Sequence, residues 1–92
     1  MIRSFRDRDT DRLWKRERVG RFTSFENVAR RKLVMLNNAT SLADLRTPPG
    51  NELELLKGDR KGQHSIRINR QYRACFKWRD GDAYEVEITD YH

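Results

Sequence analysis

An α+β fold, with N-terminal helices packed on a curved, mainly antiparallel β-sheet, is what this sequence predicts, and three observations carry the prediction. From about residue 65 onward, apolar and polar residues alternate with a period of two, the mark of half-buried strands. Between Phe25 and Leu36 the apolar residues recur at helical spacing instead, with Phe25, Ala29, Leu33 and Leu36 on one stripe and Val28 alongside. Pro48-Pro49-Gly50, a strong breaker, separates the two patterns, so helices come first and the sheet afterwards.

Taken in order, Ile2 to Phe5 reads as a short first strand, too brief to stand alone and expected to join the sheet. Asp9 or Thr10 caps a short helix running to about Glu17, with Leu13 and Trp14 as its apolar contacts and Gly20 as its breaker. Thr23-Ser24-Phe25-Glu26 reads as a capping box, Thr23 at the N-cap and Glu26 three residues on. The helix it opens ends at Asn37-Asn38 and lays its stripe on the sheet, while Glu26, Arg30 and Arg31 face solvent. Ser41 to Leu45 supplies one further turn, and Leu53, Leu55 and Leu56 lead into the polar loop Lys57-Gly58-Asp59-Arg60-Lys61-Gly62.

A three-strand antiparallel meander follows. Ile66 and Ile68 mark its first strand, Tyr72, Ala74, Phe76 and Trp78 its second, and Tyr84, Val86 and Ile88 its third. Asn69-Arg70-Gln71 and Asp80-Gly81-Asp82 are the turns. Three-residue loops at both put Trp78 opposite Tyr84, Phe76 opposite Val86, and Ala74 between Ile88 and Ile66. The other face then pairs Lys77 with Glu85, Cys75 with Glu87, Arg73 with Thr89, and Arg67 with Arg73. Like charges directly opposite are unfavourable by roughly 0.2–1 kcal/mol. Arg67 beside Arg73 therefore implies an anion, or a carboxylate from elsewhere in the chain. Phosphate is the anion that a guanidinium fork matches best. Among 20 Lys and Arg, two arginines on a sheet face also read as ordinary solvated surface.

Ninety-two residues form one domain, 1–92. The net charge of +6 favours polyanionic partners: RNA, DNA, the ribosome or an acidic protein. Cys75 is the single cysteine, which excludes an intrachain disulfide and suits a reducing compartment. No apolar signal region or membrane-length stretch is present, so a cytoplasmic, unprocessed protein without membrane partners is expected. One cysteine with only His64 and His92 offers no zinc spacing, and neither a phosphate-binding glycine loop nor a dinucleotide fingerprint occurs, so no cofactor is expected.

RNA cleavage without metal needs a base for the ribose 2′-hydroxyl, cations around the phosphate, and an acid for the leaving oxygen. Lys57, Arg67 and Arg73 can surround a phosphate, Tyr91 and His92 can position or exchange protons, and Asp90 can orient His92 or hold the strand end of Tyr91. Each also has a plainer reading. Lys57 is a solvated loop lysine, Tyr91 a sheet cap, His92 a frayed end and His64 a partly packed structural residue. Strict alternation through the last strand turns Asp90 and His92 away from Tyr91, so only a twisted end gathers all three.

The run Leu56-Lys57-Gly58-Asp59-Arg60, then Gly62-Gln63-His64-Ser65-Ile66-Arg67-Ile68-Asn69, Tyr72-Arg73 and the terminal Asp90-Tyr91-His92, resembles the HigB-type toxins, a branch of the RelE/ParE-like superfamily. The likeness begins at Met1-Ile2-Arg3-Ser4-Phe5 and spans essentially the whole chain. It implies the RelE-like microbial RNase toxin fold and a ribosome-dependent endoribonuclease that cuts mRNA in the A site. Carried over by position, it implicates Lys57, Arg67, Arg73, Asp90, Tyr91 and His92 in catalysis. Arg60, Lys61 and Lys77 are expected to hold RNA, since cations outside the site still steer and hold a polyanion. Some relatives have histidine where this chain has Glu54, which leaves open the base at that position. The implied partner is a HigA-like helix-turn-helix antitoxin on the exposed sides of the N-terminal helices, with operator DNA reached only through that complex. Rival readings are a non-catalytic basic RNA- or DNA-binding module and a ParE-like toxin acting on gyrase. Asp90-Tyr91-His92 and the paired arginines argue against both.

Overall fold

Asp7, two or three residues earlier than expected, opens helix α1 (Arg8–Trp14): its carboxylate accepts from the Thr10 amide at 3.1 Å. That frees the buried Thr10 hydroxyl, which accepts from the Ile88 amide at 3.0 Å and ties the helix to the last strand. The helix ends at Trp14, well before Gly20. Arg16 takes a left-handed conformation (φ 67°), and the Arg16 and Glu17 amides bond back to Leu13 (3.1 Å) and Arg12 (2.9 Å). A 3₁₀ turn over Gly20–Phe25 then leads into helix α2 (Glu26–Asn38). Thr23 does not cap α2. It lies inside the 3₁₀ turn, where its hydroxyl donates to the Val19 carbonyl at 3.3 Å, and Phe25 stands at the cap position without a side-chain bond. The stripe on α2 is as predicted, with Ala29, Leu33 and Leu36 fully buried and Phe25 and Val28 packed at its margin.

The computed structural model describes residues 1–91; His92 lies outside the described residues. Among these, the strands are β1 (Glu54–Leu55), β2 (His64–Arg67), β3 (Arg73–Arg79) and β4 (Asp82–Thr89), antiparallel neighbours in that order. The sequence predicted the last three but not β1, a strand of two residues whose leucine-rich surroundings carry no alternation. The first predicted strand appears as two isolated parallel bridges, Ile2 with Ala83 and Phe5 with Val86, lying along the outer side of β4.

Ile66 opposite Ala74, Ala74 opposite Ile88, and Arg67 opposite Arg73 are as the alternation predicts. The hairpin end differs. Asp80 and Gly81 form a two-residue turn with positive φ at both (53° and 81°), so Asp82 pairs with Arg79 and Trp78 faces Ala83 rather than Tyr84. A bulge between Cys75 and Lys77 restores the count, with Glu85 at φ 52° as the extra residue of β4. Loop and bulge offset one another, which is why the open end of the sheet keeps the predicted register. Phe22, Leu13, Leu33, Leu36, Leu45, Ile66, Phe76, Val86 and Ile88 fill the core between helices and sheet.

Candidate functional site

Where β1, β2 and the start of β3 meet, the ladder sets Glu54 opposite Ser65 and Arg67 opposite Arg73. Ser65 is fully buried, and the Arg73 side chain is only 11% exposed against 42% for Arg67. Tyr91, beyond β4, returns over this corner.

Three contacts form a directed chain. Arg73 Nε donates to Ser65 Oγ at 2.7 Å, Ser65 Oγ lies 3.2 Å from Tyr91 Oη, and Tyr91 Oη donates to Glu54 Oε2 at 3.1 Å. A guanidinium has no acceptor, so Ser65 accepts there and turns its own hydrogen to Tyr91, which passes its hydrogen to the carboxylate. The chain runs from a fixed cation to Glu54, whose Oε2 is also 3.9 Å from Arg73 Nε. Burial pushes the Tyr91 phenol above its ordinary pKa, while the Ser65 hydrogen bond works against that rise.

The unfavourable pairing of Arg67 with Arg73 is relieved by a carboxylate from elsewhere in the chain. Glu52 Oε2 lies 3.5 Å from Arg67 Nε and 3.7 Å from Arg73 Nη1. The backbone carbonyl of Glu52 separately accepts from Arg73 Nη2. Glu52 is held by a rigid base. It follows the 3₁₀ turn Pro49–Asn51 with φ 44°, and buried Asn51 donates to the carbonyls of Leu45 (3.1 Å) and Thr47 (3.3 Å). Asn51 also accepts from Lys32 Nζ at 2.5 Å; burial, then repulsion from Arg31 and Arg67, lowers the pKa of that ammonium.

The other predicted site residues are distributed around this corner. Arg60 stacks over the Tyr91 ring at 5.6 Å and is tied down by Glu87 (3.0 Å) and Gln63 (3.2 Å), so it props Tyr91 from behind. Asp90 accepts from Gln71 Nε2 at 3.0 Å, joining the tail to the β2–β3 turn. Lys57 and Lys61 are exposed and rim a shallow hollow of about 390 Å³ floored by Leu55 and Leu56. Lys77 is four residues along β3 from Arg73, roughly 13 Å at strand rise, and pairs with Glu85 at 2.7 Å. His64 packs on Phe76 with ring centroids 6.1 Å apart, and burial lowers its pKa. Cys75 is buried, which pushes its thiol up to about 11. Among the described residues, no three or more His, Cys, Asp or Glu side chains gather as a metal site, and no helix is long and apolar enough to cross a membrane.

Glu52 and Ser65 are the two members that sequence reasoning missed. For Glu52 a signal existed, because paired arginines demand a countercharge. Ser65 read as one more polar position in an alternating strand.

A family model described as RelE-like toxin of type II toxin-antitoxin system HigB matches residues 3–92. The chain is 42% identical over 90 residues to Toxin HigB-1 of Vibrio cholerae, covering 96% of this chain and 95% of that protein. It is 36% identical over 61 residues to a Proteus vulgaris protein named Endoribonuclease HigB, covering 66% of this chain and 65% of that one. Among solved structures, the crystal structure of a heterotetrameric YoeB–YefM toxin–antitoxin complex from Staphylococcus aureus contains a similar chain. That chain aligns with a TM-score of 0.63 at 17% identity, over 100% of this chain and 98% of that one, a likeness of fold. A chain from another YoeB–YefM complex of the same organism aligns with a TM-score of 0.58 at 18% identity, with the same coverage.

Proposed function

The chain belongs to the HigB-like toxins, RelE-like toxins of type II toxin–antitoxin systems, and from that premise we propose that it is an endoribonuclease that cuts mRNA in the ribosomal A site without metal. The observation that supports this reading best is the directed chain Arg73–Ser65–Tyr91–Glu54 beside Arg67. In the proposed step Glu54 takes the proton of the ribose 2′-hydroxyl. The 2′-oxygen bonds to phosphorus, the bond to the 5′-oxygen breaks, and a 2′,3′-cyclic phosphate and a 5′-hydroxyl result. Arg73 and Arg67, with Lys57 from the neighbouring loop, balance the charge on the crowded phosphate. The leaving oxygen is protonated from the Tyr91 end, where the phenol carries its proton at neutral pH as an ordinary tyrosine does. Asp90 and His92 complete the set by family resemblance, and Lys61 holds RNA backbone outside it. The cognate partner is a HigA-like helix-turn-helix antitoxin, the pair repressing its own operator, and the setting is the cytoplasm.

Primer extension on translating ribosomes tests this. Wild-type protein should give codon-associated cuts whose 5′ fragments end in cyclic phosphate. Glu54→Gln should lower the cleavage rate by about 10²–10⁴-fold, the usual worth of general acid–base catalysis. Tyr91→Phe should lower it by at least tenfold. Full cleavage by Arg67→Ala and Glu54→Gln together would remove this site from the reaction.

A further inference from the structure

We propose that the Glu52 carboxylate is an intramolecular stand-in for the scissile phosphate: it occupies the anion position between Arg67 and Arg73, and substrate binds by displacing it. This rests on the phosphate-binding role proposed above for the two arginines. Both contacts to the Glu52 carboxylate are open ion pairs at 3.5 and 3.7 Å, and its side chain is 59% exposed. The carboxylate is therefore held loosely and can swing into solvent.

Arg73 does not depend on that carboxylate for its position. It is fixed by the Glu52 carbonyl, the Ser65 hydroxyl at 2.7 Å and the Ser65 carbonyl at 3.4 Å. The residue thus has two separable functions. Its backbone, set by the turn that buried Asn51 anchors, aims Arg73, while its side chain fills the place where the two guanidinium groups converge. A phosphodiester offers two non-bridging oxygens, one to each guanidinium, where Glu52 shares a single oxygen between both, so it displaces Glu52 once other contacts hold the RNA. Glu52 is a positioning residue that sets how tightly a phosphate must bind before the site opens.

The test is binding of inorganic phosphate and of an RNA oligonucleotide blocked by 2′-deoxy substitution, followed by NMR at the Arg73 Nε–H and by fluorescence anisotropy. Glu52→Gln keeps the backbone and removes the competing charge. It should tighten binding of both probes by about two- to fivefold, the scale expected for losing an exposed ion pair of this kind. The gain should vanish in the Arg67→Gln background. In the wild type, phosphate addition should move the Glu52 carboxyl resonance at the same midpoint as the Arg73 signal, a measurement that needs no variant. Weaker or unchanged binding by Glu52→Gln, with a stationary Glu52 carboxyl resonance, overturns the proposal while leaving the nuclease reading intact. Absence of any phosphate response at Arg73 in either protein overturns both.

Discussion

Ser65 has no exposed surface and a single hydroxyl, which accepts from Arg73 and donates to Tyr91. Alanine in its place strands a buried guanidinium N–H and takes the Ser65 hydrogen bond away from the phenol. Such orphaned groups cost about 1–3 kcal/mol, so urea unfolding of Ser65→Ala should show a loss in that range. Because the Ser65 bond holds the Tyr91 pKa down against burial, the variant should also move the phenol ionisation further up, visible in an absorbance titration. Cleavage should fall by about tenfold or more as Tyr91 loses its aim. At this scale the sequence was informative where charge forced the issue. The clash of Arg67 with Arg73 called for an anion or a carboxylate from elsewhere in the chain, but nothing periodic marked Glu52, which reaches Arg73 across 21 positions from an irregular turn. Ser65 was illegible for a different reason: a serine on a strand looks alike whether its hydroxyl meets solvent or joins two functional side chains.

Helix α2 and strands β2 to β4 were readable because each buries one face, and burial writes a period into the sequence. Ends and turns were less so. Gly20 looked like the terminator of α1, yet the left-handed position falls on Arg16, exposed at φ 67°. Glycine fits that conformation without strain, so Arg16→Gly should stabilise the fold by about 0.5–1 kcal/mol, net of the greater freedom of the unfolded chain. Its melting temperature should rise by a few degrees, and a fall would show that the Arg16 side chain holds more than its backbone suggests. The β3–β4 hairpin was misread by one residue because alternation counts positions without saying whether the odd one sits in the loop or in the strand. Here it sits at Glu85, and Lys77 still reaches it at 2.7 Å across the bulge.

The whole chain carries a net charge of +6, and the proposed RNA path runs over Arg67 and Arg73 with Lys57 and Lys61 of the exposed loop as further phosphate contacts. With about four phosphates neutralised, the logarithm of affinity for a non-cleavable RNA should fall against the logarithm of salt with a slope of about −2 to −3. Anisotropy titrations across a salt series measure it; a slope near zero would mean that binding does not run through phosphate. Family and architecture were the most legible of all, since the motif order from Lys57 to Tyr91 follows the strand order. At the sheet margins, the segment predicted to join the sheet does so, while β1 was not foreseen. Residues 2–5 lie along β4 through two parallel bridges, and on the far side β1 is two residues long, just after the Pro48-Pro49 turn. Among the described residues, neither border leaves a long run of backbone amides and carbonyls facing outward. Neighbouring molecules thus lack a template for lateral stacking, and crowded solutions of this protein should stay dispersed instead of seeding fibrils.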